Sequence, residues 1–277
     1  YYVIDAITSL VAGFAYVINP YFPIILCFIG NVIATILSTR FRKIESKEKE
    51  KSIGTREYFK QLKSAGKFAI KSKRMMCLLI FFGLVSGLLY NMTTLRSGVL
   101  AQINLPEQYF GIVFAILQIA ASICSRAQNI IQKRYKNNTL AYLGIPLTVS
   151  CIIIGLLSKG NQSLFKVFII ITLFVIQGAI KGVYNVLIYR YLNNFTTKNI
   201  RTKLATIRSL VYNVFTIIIS LFGSLLLSVT DSSNTILIIG CMSTIAIILL
   251  LDYMRDKVGL KPNKYPEEDL KYYKVKQ

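Results

Sequence analysis

The sequence predicts an all-α protein: a polytopic membrane helix bundle with eight transmembrane helices. Three observations carry that expectation. Charged residues make up only 16% of the 277, and they are gathered in a few blocks. Between the blocks lie uncharged runs of about 20 residues, repeated too often for a soluble helical protein, whose helices need a polar face. Of the 33 lysines and arginines, 27 fall on one set of alternate connections and three on the other, with Arg126, Lys181 and Arg208 inside the runs.

The runs fall at 1–18, 22–40, 75–100, 108–131, 139–158, 165–191, 203–228 and 234–254. Most have the roughly 17–25 residues that a helix needs to cross about 30 Å of hydrocarbon, and the longer ones can tilt. They do not alternate with period two, so a barrel is excluded and helices satisfy the backbone. Turn-forming residues punctuate them. Asn19-Pro20-Tyr21-Phe22-Pro23 separates the first two, and Asn104-Leu105-Pro106-Glu107 precedes the fourth. Lys159 to Ser163 parts the fifth from the sixth, and Thr230 to Asn234 the seventh from the eighth. The chain opens on Tyr1-Tyr2-Val3, already apolar and without a charged leader, and reads as truncated rather than as a signal peptide.

Residues 41–74 form a basic loop. Its first part, Arg42 to Lys51, is a mixed-charge run too polar to fold alone. From Thr55, a plausible N-cap, to Lys73 the pattern suits an amphipathic helix on the membrane surface, with a solvated linker as the equal alternative. Residues 255–277 form a mixed-charge tail. The 27-to-three imbalance puts the loop and the C-terminus in the cytoplasm, with the cell membrane as the expected location. Asn91, Asn137, Asn161 and Asn194 match the glycosylation pattern on both sides of the membrane, so those matches read as accidental.

The net charge of +21 does not point to nucleic acid, because the basic residues sit in connections rather than on one face. Anionic lipid headgroups are the expected neighbours. The chain has no histidine, and its five cysteines fall inside apolar runs without metal-like pairing. No metal and no cofactor is expected. No nucleophile with a base and no phosphate-cradling glycine loop occurs, so neither an enzyme nor an ATP-driven pump is expected.

Two spans, a long basic cytoplasmic loop and six more spans make a layout that resembles the C-terminal part of a major facilitator superfamily transporter. Ile18-Asn19-Pro20-Tyr21-Phe22-Pro23-Ile24 looks like the hairpin that joins the last two helices of that family's N-terminal half. Leu105-Pro106-Glu107-Gln108-Tyr109-Phe110-Gly111-Ile112 resembles the external turn and start of the second helix of its C-terminal half. Tyr191-Leu192-Asn193 through Ile200-Arg201-Thr202-Lys203-Leu204-Ala205-Thr206 is similar to the turn in which an arginine precedes its eleventh helix. The resemblance covers nearly the whole chain. It implies a fragment of a twelve-helix transporter, helices five to twelve, whose partner is the missing N-terminal helices of the same chain. Residues 1–40 would be the last two helices of one half-bundle and 75–254 the six-helix C-terminal half-bundle. The implied function is secondary active transport of a small solute by alternating access, ion-coupled and with efflux among its directions. The alternative is a non-transporting membrane scaffold or sensor.

An ionisable group at membrane depth is costly and invites a functional reading. Lys181 lies near the middle of the sixth span, and Gln177, Lys181, Tyr184 and Asn185 share one polar helix face. That face would line a water-filled cavity in which Lys181 attracts an anionic group or pairs with an acid. A lysine buried against carbonyls, or snorkelling to the interface, is the plainer alternative. Gly178 and Gly182 on this helix, and Gly83 and Gly87 on the third, suit close packing. Asp5, the acid inside the first span, is a candidate for ion coupling or a helix-end residue. Arg126, Arg201 and Arg208 are candidates to anchor helix ends or brace a cytoplasmic gate. The resemblance implies that Tyr90, Asn91, Thr94, Gln118, Tyr212, Asn213 and Thr216 face the pathway, with ordinary interhelical hydrogen bonding as the alternative.

Overall fold

A computed structural model describes residues 2–40, 63, 66–67, 69–135, 138–161, 163–194 and 198–254, apart from the side chains of 74, 132–133, 192–194 and 198–203. The helices are α1 (Tyr2–Ile18), α2 (Phe22–Ser38), α3 (Lys73–Gln102), α4 (Phe110–Tyr135), α5 (Thr139–Leu157), α6 (Leu164–Asn194), α7 (Lys198–Val229) and α8 (Ser232–Met254). No strand occurs among the described residues.

The turns follow from local chemistry. Asn19 accepts the Tyr21 amide on its side chain at 2.9 Å, and Pro23 opens α2, where a missing N–H costs nothing. Ser72 is extended, and its hydroxyl accepts the Met75 amide to cap α3. The helix anticipated from Thr55 through Lys73 therefore breaks at Ser72. Most of that segment, Thr55 included, lies outside the described residues. After α3, Asn104 takes a left-handed φ of 58°, which asparagine tolerates, and a short 3-10 turn at Glu107–Tyr109 leads into α4. Gly160, at φ 70°, closes the turn after α5.

Six segments are long and apolar enough to cross a bilayer: Met75–Gln102, Glu107–Ile131, Thr139–Leu157, Leu164–Tyr191, Leu204–Val229 and Ser232–Met254. The sequence suggested eight spans; α1 and α2 are apolar but only 17 residues each. The chain is thus an integral membrane protein whose described residues form helices and the turns between them.

Helix α3 carries much of the core. Phe81, Phe82, Leu88, Met92, Val99 and Leu100 are almost wholly enclosed on it. The closest helix pairs are α4 with α6, α5 with α8, α1 with α4, and α3 with α7. Gly178 and Gly182 let α6 approach the α4 backbone at Leu117 and Ala121. The outer surface is apolar: Ile217, Leu221 and Leu225 of α7 project outward, and α2 buries no residue at all. In water such a surface would aggregate, whereas in lipid it is solvated.

Candidate substrate site

The cavities begin with what α3 presents to α6 and α7. Gly83, Ser86, Thr93 and Thr94 are small, and they leave a space of about 920 Å³ between α3, α6, α7 and the start of α1. It lies toward the end of the bundle where α3 and α7 begin and α6 finishes. Tyr184 is fixed from α6 by donating to the Phe82 carbonyl at 2.5 Å, and its hydroxyl also meets that of Ser86. Asn185 donates to the Tyr2 hydroxyl at 2.7 Å, which ties α6 to α1. Arg208 of α7 donates to the Tyr189 hydroxyl at 2.9 Å, with its guanidinium carbon 4.1 Å from that ring's centre.

A second cavity of about 150 Å³ adjoins the first, and Leu89, Thr93 and Lys181 line both. Arg96 of α3 lines it too. The charge count assigned Arg96 to the external connections, but it lies inside α3 and is 8% exposed. Its guanidinium carbon lies 5.0 Å from the centre of the Phe174 ring, and Nη2 donates to Gln177 Oε1 at 3.5 Å. Gln177 in turn donates to the Ser150 hydroxyl at 2.9 Å, which turns its carbonyl oxygen toward Arg96.

The residues singled out by sequence divide accordingly. Lys181, Tyr184, Asn185, Tyr90, Thr94, Tyr212 and Arg208 line the large cavity. Gln177 and Gln118 line the small one, Gln177 with no exposed surface. The other described side chains line neither. Asn91 braces α3 to α7, donating to the Gly87 carbonyl at 2.9 Å and accepting from the Ser220 hydroxyl at 2.9 Å. Thr216 offers its carbonyl to Asn91 at 3.5 Å, while its own hydroxyl is buried without a partner. Asn213 and Arg126 are exposed. Asp5 is half-buried on α1 and close enough to act electrostatically on Lys181. The side chain of Arg201 lies outside the described residues.

Sequence reasoning missed Arg96, Ser86, Tyr189 and Tyr2. Arg96 carried a readable signal. Leu89, Met92, Arg96, Val99 and Ile103 follow heptad spacing, and all five are buried. The bonds from Tyr189 to Arg208 and from Tyr2 to Asn185 join distant helices and have no local pattern.

The two cavities offer hydroxyls, amides and cations, a lining that can orient and release a small polar molecule. The family model of the Major Facilitator Superfamily matches residues 143–276, from α5 into the C-terminal tail. No curated protein and no solved structure shows significant similarity to the chain. With that match and six helices fit to cross a bilayer, the chain is an integral membrane protein similar over residues 143–276 to transporters of the major facilitator superfamily.

Proposed function

We propose that the chain works as a secondary active transporter that moves a small solute by alternating access, bound in the cavity around Lys181. One observation carries this reading. Lys181, near the middle of α6, lines both cavities. An ammonium at that depth costs about 2.5–3.5 kcal/mol on insertion scales, so a hydrated, solute-binding cavity gives it a reason to persist. A scaffold or sensor would favour a dry polar face. Gln177, held by Arg96 and Ser150, meets that description, but Lys181 does not.

In this reading α1 and α2 also cross the membrane and belong to one half-bundle, while α3–α8 form the other. The loop at 41–74 and the tail at 255–277 lie in the cytoplasm, in the cell membrane's inner face, and the 920 Å³ cavity opens toward that side. Transport is coupled to an ion gradient, with Asp5 as the candidate proton carrier, and efflux fits the inward-opening cavity. Arg126, Arg201 and Arg208 are assigned to the cytoplasmic gate.

The test is solute flux into proteoliposomes containing the intact protein, with the helices expected to precede residue 1, with and without an imposed pH gradient. Wild-type flux should respond to the gradient, and Lys181→Met should lower it about tenfold, the equivalent of about 1.4 kcal/mol. Unchanged flux in Lys181→Met removes the site assignment, and absence of flux for a panel of polar solutes removes the transporter reading.

A further inference from the structure

We propose that the 150 Å³ cavity holds the oxyanion head, a carboxylate or phosphate group, of the transported solute, and that Arg96 and Lys181 grip it together. The proposal rests on the transporter reading and adds to it a substrate class and a residue. Two cations line one small space, and no carboxylate of the described residues pairs with Arg96. That arginine is more than nine-tenths buried, and its Nε has no hydrogen-bond partner. An isolated buried guanidinium is among the least favourable groups a fold can hold, unless an anion completes it.

The surroundings prepare Arg96 for such an anion. Phe174 supports it through its ring, and Gln177, itself anchored on Ser150, engages Nη2. Nε is enclosed without a partner, and a planar or tetrahedral oxyanion is the group that a guanidinium fork matches. Gln118 adds an amide to the lining, while the Thr93 and Ser9 hydroxyls already donate to their own helix backbones, at 2.9 and 2.7 Å. The donors left for a ligand are thus dominated by Arg96 and Lys181. A volume of about 150 Å³ accommodates a group the size of a benzene ring. Because Lys181 lines both cavities, the rest of the solute can extend into the larger one.

The experiment measures thermal unfolding of the full chain in lipid nanodiscs, with a thiol-reactive dye that reports exposure of the buried Cys77 and Cys151. Benzoate, inorganic phosphate and the neutral isostere benzamide are titrated separately. Benzoate or phosphate should raise the unfolding temperature saturably while benzamide does not, and the anion that acts identifies the head group. Arg96→Met and Lys181→Met should each weaken that response at least tenfold. Unliganded Arg96→Met should unfold at the wild-type temperature or above it, because an unpaired buried charge has been removed. Should Arg96→Met fail to fold, Arg96→Lys carries the test: charge without the fork should still lose tenfold. An equal response to benzamide, no response to either anion, or an undiminished response in the Arg96 variants overturns the proposal. Flux without an anion response refutes this site and leaves the transporter reading standing. An anion response without flux leaves the anion site standing and refutes its assignment to a transported solute.

Discussion

Asp231 follows Thr230 between the end of α7 and the first turn of α8, and its carboxylate ties α8 to α3. Oδ1 accepts the Asn234 amide at 3.1 Å, and Oδ2 accepts from the Gln102 side chain at the end of α3. Gln102 also accepts from the Ser233 amide and hydroxyl, so the cap and the α3 terminus form one unit. Slight burial works to raise the Asp231 pKa, but donation from Gln102 and Asn234 outweighs it and holds the carboxyl below its usual value. A depressed carboxyl stabilises the fold above the unfolded-state pKa, and that contribution disappears as pH falls through the folded one. Stability from Asp231 should therefore persist at neutral pH and vanish only below the ordinary carboxylate range. Asp231→Ala should cost about 1 kcal/mol at pH 7, a typical N-cap loss. Asp231→Asn should flatten the acid limb of the unfolding-temperature profile; identical limbs in wild type and variant would exclude this role.

The same scale shows why one buried cation was legible and another was not. Lys181 interrupts a long apolar run, and its partners at helical spacing announce a polar face. Arg96 lies six residues before the end of α3, where a basic residue is ordinarily an interfacial anchor, so counting charges sent it outward. Only its heptad register with Met92 and Ile103 pointed inward. Asn91 sits one residue from Tyr90, yet a helix turns about 100° per residue. Tyr90 lines the cavity, while Asn91 faces α7.

At the scale of the element, boundaries were largely readable because lipid demands long uninterrupted helices and turns need Asn, Pro and Gly. The break at Ser72 was not, since a serine within a basic amphipathic pattern looks like any other polar-face residue until its hydroxyl is seen on the Met75 amide. Close helix approach was readable as paired small residues. A Cβ added at Gly178 would stand 2.7 Å from the Leu117 carbonyl oxygen, and at Gly182 one would collide with the Ala121 carbonyl oxygen. Those neighbours are backbone and cannot swing aside. Gly182→Ala should therefore destabilise the α4–α6 pair by about 1–3 kcal/mol. Gly30→Ala on α2, where nothing lies within 4 Å, provides the control. It should be neutral or stabilising by up to about 1 kcal/mol, from helix propensity alone. Equal unfolding midpoints for the two variants would show that the α4–α6 approach is looser than described.

For the whole molecule, the apolar exterior and the charge asymmetry are two consequences of one solvent. Hydrocarbon accepts the outward leucines and isoleucines of α7, and it excludes lysine clusters, which must gather where the membrane leaves them. With Arg96 placed inside α3 the asymmetry becomes 27 to two, and it is the ground for expecting which connections share a side, although it says nothing about which side chains meet inside. That second kind of information comes only from helix packing, as in the contacts of α3 with α7 and of α4 with α6. The two join at the large cavity, bordered by Arg208 and Tyr189 toward the ends of α7 and α6 nearest the basic connection. If that connection is cytoplasmic, so is the mouth of the cavity. The check is single-cysteine labelling in a background cleared of the five native thiols, with a membrane-impermeant maleimide added to intact cells and to inverted vesicles. Ser52→Cys in the basic loop and Lys264→Cys in the tail should react only in inverted vesicles, and Asn161→Cys, between α5 and α6, only in intact cells. Asn185→Cys, on the cavity wall, should follow Ser52→Cys and lose its reactivity when a transported solute is present. If Ser52→Cys and Lys264→Cys label from opposite sides, an odd number of crossings separates them, and the proposed six-helix half-bundle cannot stand. If they agree but Asn185→Cys labels with Asn161→Cys, the bundle survives and the cavity opens the other way.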